Sequence, residues 1–183
     1  MAQRSRDHRA VKVSKFLARH LRHRPGDLGL ELQAGGWVDV EELLVACRRA
    51  GFPIAAAELD AAVHAEGKRR YSYDATKARV RAVQGHSVPV DLDYAPSRPP
   101  AVLYHGTHTG AADAILHQGL RAMGRLHVHL SADEQTARAV GARHGRAVVL
   151  QVDAAAMADA GYRFYCAENG VWLVDEVPAR HLS

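Results

Sequence analysis

The sequence predicts an α+β chain built in two parts, and three observations carry that expectation. Helical apolar spacing gives way to a short period-two segment in the first half, short strand-like runs alternate with helical ones in the second, and a proline-dense stretch separates them. The 183 residues, 48% hydrophobic and 24% charged, can bury two small cores and exclude a disordered, collagenous or coiled-coil chain.

The first helix is expected over Val11 to Arg22, because Val13, Phe16, Leu17 and Leu21 recur at helical spacing and Pro25 and Gly26 stop the run. A second, from Val40 to Arg49, follows Asp39 as N-cap and ends at Gly51. A third is expected from Ala55 to Glu66, ending at Gly67. Arg70 to Tyr73 and Arg79 to Val83 alternate with period two around Asp74-Ala75-Thr76, which predicts a hairpin. Three helices and a hairpin outline a winged-helix lobe. Its third helix, where base-reading side chains should sit, carries Glu58, Asp60 and Glu66 and no Lys, Arg, Asn or Gln, so major-groove readout is not expected.

Tyr94-Ala95-Pro96-Ser97-Arg98-Pro99-Pro100 reads as a linker, which divides the chain into a lobe over 1–93, a linker over 94–100 and a lobe over 101–183. In the second lobe, strands are expected at Ala101 to Tyr104, His127 to Leu130, Ala147 to Val152, Tyr162 to Tyr165 and Val171 to Val174. Helices are expected at Gly110 to His117, Asp133 to Arg143 and Asp153 to Ala160. No Gly-rich dinucleotide fingerprint or phosphate-binding loop is present, nor a Gly-x-Ser-x-Gly nucleophile motif. Trp37 and Trp172 are expected in the core.

The formal charge of +4 lies wholly in the first half. Met1 to Asp93 holds 16 Lys and Arg against 12 Asp and Glu, whereas Tyr94 to Ser183 holds 8 against 8. Eight of the cations fall within the first 24 residues, facing only Asp7. Such a run either attracts polyanions or forms a solvated arm. Two cysteines, Cys47 and Cys166, make no disulfide framework. The N-terminus has no signal-peptide core, and no stretch reaches the roughly 18 apolar residues of a membrane span. A cytoplasmic protein with no membrane partner is expected.

Twelve histidines are unusual for this length, and several adjoin Gly, Ser or Thr. His127 and His129 could supply two ligands from one strand, but no set completes a metal motif, and no metal is expected.

Taken together, Ser14-Lys15-Phe16-Leu17-Ala18-Arg19-His20-Leu21-Arg22-His23, Gly36-Trp37, Gln84-Gly85-His86-Ser87, Tyr104-His105-Gly106-Thr107, Arg125 ahead of His127-Val128-His129-Leu130-Ser131, Arg143-His144-Gly145 and Asn169-Gly170-Val171-Trp172-Leu173 closely resemble the RNA 2'-phosphotransferase family, the KptA-type enzymes. The resemblance runs from about Val11 to Leu182. It implies a winged-helix lobe joined to an ADP-ribosyltransferase-like lobe that binds NAD as a consumed co-substrate, and an RNA bearing an internal 2'-phosphate, such as one left at a tRNA splice junction. The phosphate displaces nicotinamide from the ribose; the ribose 2''-hydroxyl then attacks the phosphorus, releasing RNA and ADP-ribose 1'',2''-cyclic phosphate.

The family's essential set maps onto Arg19, His20, Arg70 and Arg125, with three arginines as a phosphate clamp and His20 as a proton-exchanging or orienting group. Arg69 is the alternative to Arg70 if the strand register shifts by one. The cofactor side maps onto His105, Gly106, Thr107, His129, Ser131, Val171 and Arg143, and Gln84, His86, Ser87 and His144 would contact the RNA. Val171 stands where many protein-modifying relatives carry Glu, which implies an acceptor that arrives already charged. A monomer is expected. Two other functions fit the same residues: an ADP-ribosyltransferase that caps a terminal nucleic-acid phosphate, and a non-catalytic winged-helix module that binds nucleic acid.

Overall fold

The computed structural model describes residues 2–65, 69–143 and 145–183, and side chains from residue 7 onward. The chain divides into two compact units, Met1–Asp93 and Tyr94–Ser183, both of mixed α and β content.

In the first unit the leading helix, α1, spans Ala2–Arg22, nine residues longer at its start than apolar spacing alone predicts. Val13, Leu17 and Leu21, at i, i+4 and i+8, are buried on its inner face. A two-residue strand β1, Val38–Asp39, leads into α2, Val40–Arg49, where the Asp39 side chain accepts from the N–H groups of Glu41 and Glu42. Helix α3 is Ala56–Val63; the expected end at Glu66 and Gly67 lies outside the described residues. Glu58 caps this helix by accepting from the Ala55 N–H at 2.9 Å and also meets Arg9 Nε of α1 at 2.7 Å. The Arg9 hydrogen bond holds the Glu58 carboxyl below its usual range. Strands β2, Tyr71–Tyr73, and β3, Arg79–Ala82, form the hairpin, and β1 adds to it in the antiparallel order β1-β3-β2. Leu43, Cys47, Leu59, Tyr71 and Val80 complete the core beneath α1.

In the second unit, β4 (Val102–His108) runs antiparallel to β7 (Ala147–Asp153), with His105 opposite Leu150 and Gly106 opposite Val149. Between them in sequence come α4 (Thr109–Gln118), β5 (Leu120–Arg121), β6 (Val128–Leu130) and α5 (Glu134–Gly141). After β7 follow α6 (Ala154–Asp159), β8 (Tyr165–Cys166), β9 (Trp172–Val174) and β10 (Glu176–Val177). A second sheet has the order β6-β9-β8, and β10 pairs with β5. Leu103, Leu130, Val152, Met157, Phe164 and Val174 form the core. The proline-dense segment is anchored to this unit, since Pro96 bridges Tyr165 and the Ser97 N–H donates to the Phe164 carbonyl at 2.8 Å.

Trp37 and Trp172, expected in the core, are only half-buried. Trp37 instead serves as a platform for Arg81, whose guanidinium lies 4.4 Å over the ring and donates to the Gly35 and Leu92 carbonyls at 2.9 and 3.0 Å. Among the described residues no helix is long and apolar enough to cross a membrane, and no cluster of three metal-ligating side chains occurs.

Candidate active site

In the first unit, helical geometry puts Ser14, Ala18 and Arg22 on one face of α1, and this face receives Arg70. Arg70 Nη1 donates to Ser14 Oγ at 3.2 Å, and Arg22 Nη2 donates to the Arg70 carbonyl at 3.5 Å. Arg70 is half-buried while Arg69 is exposed, so the side chain held against α1 is that of Arg70. A groove of about 1050 Å³ runs between α1 and α3, with Ser14, Lys15, Ala18, Ala61 and Arg70 along it. Among the described residues neither Lys15 nor Arg70 has a carboxylate partner.

Arg19 lies on the solvent side of α1 and meets Asp27 at 3.4 Å, with both side chains about half exposed; a pair this open holds its arginine weakly. His20 is buried, its Nδ1–H donates to the Phe16 carbonyl at 2.8 Å, and the Phe16 ring stands 4.2 Å away. That bond leaves Nε2 as the nitrogen able to accept a proton.

The segment Gln84 to Ser87 is strapped to the end of α1. The Ser87 N–H donates to the Arg22 carbonyl, His23 Nδ1 lies 2.9 Å from Ser87 Oγ, and Gly85, at φ +91°, lets the Arg22 guanidinium pass where a Cβ would press on it. His86 is 2% exposed. The structure therefore places it inside the unit as a packing residue rather than on a surface that RNA could touch. Burial first, and then the charges of Arg22, His23 and Arg81, lower its pKa to about 4. Ser87 is exposed and Gln84 half-buried.

In the second unit the site is the place where two strands part. Tyr104 and Ser131 exchange N–H···O=C bonds at 2.9 and 2.8 Å, the single bridge between β4 and β6 among the described residues. Tyr104 thus turns its main-chain groups toward β6 and, with period two, so does Gly106. There the ladder has ended, and the carbonyl of His129, which would lie opposite, is engaged by the His105 ring at 3.2 Å. The N–H and C=O of Gly106 therefore face an open edge. Burial holds His105 below the usual histidine range, partly opposed by its bond to the His129 carbonyl; the ring is neutral near pH 7, with its proton on Nδ1 and a lone pair on Nε2.

Gly106 is also required sterically, because a Cβ there would run into the Ala137 carbonyl oxygen, and one at Gly141 would run into that of Thr107. Helix α5 therefore rests on β4 main chain to main chain. Arg125 Nη1 donates to His129 Nδ1 at 3.3 Å. Val171 follows Ser131 in the β6–β9 register, one step past the Leu130–Trp172 pair, and donates its N–H to Asn169 Oδ1 at 3.3 Å. No acid occupies its place. Thr107 is buried and Arg143 exposed; His144 lies outside the described residues. Ser14, Arg22 and Tyr104 bond directly to candidate site residues or their strand and have no role in the motif reading, although the i, i+4, i+8 spacing of Ser14, Ala18 and Arg22 is visible in the sequence.

A model of the RNA 2'-phosphotransferase, Tpt1 / KptA family matches residues 8–176. The chain belongs to this family. It is 53% identical to a probable RNA 2'-phosphotransferase of Nostoc punctiforme, over 97% of this chain and 98% of that protein. It is 54% identical to one of Streptomyces griseus, over 96% and 97%, and 50% identical to one of Agrobacterium fabrum, over 95% and 94%. The family match spans both units, taking in α1 with Arg19 and His20, the hairpin with Arg70, and the strand parting around His105 and His129.

Proposed function

We propose that the chain is an NAD-dependent RNA 2'-phosphotransferase, which removes an internal RNA 2'-phosphate by transferring it to the ADP-ribosyl part of NAD with release of nicotinamide and ADP-ribose 1'',2''-cyclic phosphate. The first unit is read as a winged-helix lobe that engages the phosphate, the second as an ADP-ribosyltransferase-like lobe. The observation that carries the reading is the open edge at Gly106 beside a neutral His105. A strand edge that offers one N–H and one C=O matches a carboxamide, which presents the complementary pair, and His105 Nε2 can accept from a ribose hydroxyl.

NAD supplies a sugar carbon from which a good leaving group departs. The chain's residues do the rest. Val171, in the position an acid would need to activate a weak nucleophile, fits an acceptor that already carries negative charge. Arg19, Arg70 and Arg125 are suited to a phosphate because each is fixed lightly or by neutral partners, Asp27 at 3.4 Å, Ser14 and His129. None is spent on a buried carboxylate. Guanidinium forks strengthen their bonds as charge grows on the equatorial oxygens, which lowers the barrier rather than only the ground state. His20, held by Phe16, keeps Nε2 for the proton that the departing 2'-oxygen requires.

The test incubates the protein with NAD and a short RNA bearing one internal 2'-phosphate. The cyclic-phosphate sugar nucleotide and RNA with a free 2'-hydroxyl are expected in equal amounts. Free ADP-ribose with unchanged RNA overturns the reading in favour of simple NAD hydrolysis.

A further inference from the structure

The turn between β5 and β6 carries a side chain that the reaction above leaves unused. Met123 is 90% exposed, whereas the other large exposed apolar residues among those described range from 37% to 52%. Its φ is +54°, a left-handed conformation that an unbranched apolar residue adopts only under strain, and Gly124, which would adopt it freely, stands one position later. The turn is closed by the Arg125 N–H donating to the Ala122 carbonyl at 3.1 Å, so this exposure is built into a fixed loop. Arg121 and Arg125 flank it, both exposed; Arg121 stands opposite Glu176 in the β5–β10 ladder, whereas Arg125 has no carboxylate partner among the described residues and reaches His129 instead. Packing within the unit does not account for an apolar side chain raised beside an arginine that has no acidic partner among the described residues, and backbone strain of this kind gathers at functional sites.

We propose that Met123 is an RNA contact, packing its thioether against the face of the nucleobase on the nucleotide whose phosphate Arg125 engages. The inference rests on the reading of the chain as an enzyme that acts on phosphorylated RNA. The ligand that satisfies this turn must offer an anionic group to Arg125 and a flat apolar surface beside it. A nucleotide provides both within one unit, and a polarizable side chain accepts any base without reading its edge. An apolar protein surface would offer Arg125 no anion.

Two RNAs serve as probes: a short oligonucleotide with one internal 2'-phosphate, and the same molecule lacking the base on the phosphate-bearing nucleotide. With Met123→Ala and Met123→Gly, KM for the intact RNA is expected to rise about fivefold, while kcat and KM for NAD stay within about twofold. On the abasic RNA, variants and parent should coincide. Met123→Gly, which accepts the positive φ without strain, should melt close to the parent protein, a result that a purely structural role for Met123 does not give. An unchanged KM for intact RNA in both variants overturns the assignment, as does an equal rise on the abasic RNA. Should the parent leave both RNAs untouched, the phosphotransferase reading itself falls, and this inference with it; an active parent with indifferent variants removes Met123 alone.

Discussion

The two units hold their candidate site residues in opposite ways. In the first, the candidate groups are charged and loosely held: Arg19 shares a half-exposed pair with Asp27, Lys15 is exposed, and Arg70 is tied to a single hydroxyl. In the second, the central groups are neutral and held in place: a half-buried His105 with its proton assigned by the His129 carbonyl, and a glycine edge fixed by a helix lying on it. The whole excess of positive charge sits in the first unit, and the second is balanced. A phosphate on a long flexible polymer is found by field and clamped by adaptable forks. A dinucleotide's amide and sugar are matched by fixed geometry. Loose arginines in one unit and a preformed edge in the other are what the proposed phosphotransferase reading requires of each.

The largest expected effect sharpens this contrast. Arg70→Ala and Arg125→Ala should each lower kcat by about 10²- to 10³-fold with little change in melting temperature, because neither arginine holds a core together. Next comes Gly106→Ala, which should cost the second unit about 3 kcal/mol by lifting α5 from β4, seen as a lower midpoint in urea. Unaltered stability there would show that the edge is not set by the helix. The smallest effect is one of pH. His86 has a folded pKa of about 4 against about 6.5 unfolded, so between these values the unfolded chain takes the proton and the folded one does not. Stability of the first unit should therefore be level above pH 6.5 and fall by about 2 kcal/mol between pH 6.5 and 5. His86→Phe should flatten that slope.

Much of this architecture is legible in the sequence where local signals are strong. Helix α2 occupies the range its cap and apolar period predict because Asp39, the acidic first turn and the basic last turn all agree. The start of α1 is not legible, since residues 2–10 have no apolar period and are held by continuity with the packed turns and by the nonlocal bond of Arg9 to Glu58. Two-residue strands such as β1 and β5 carry no pattern at all, and β4 runs through His105 and Gly106 because β7 pairs with it along its whole length, a nonlocal cause. The same divide holds at the site. The residues quoted in motifs were visible by kind, but the burial of His86, the hydroxyl of Ser14 beneath Arg70 and the exposure of Met123 depend on neighbours 10 to 70 positions away or on the fold of a turn.

The meeting of α5 with β4 gives the second unit an unusual dependence. Since no side chain stands between helix and strand at Gly106 and Gly141, a displacement of the helix there is passed directly to the strand edge that carries the Gly106 amide and carbonyl. Opening of α5 thus becomes the event that exposes or blurs that edge, and the deuterium uptake of the Gly106 amide is its natural gauge.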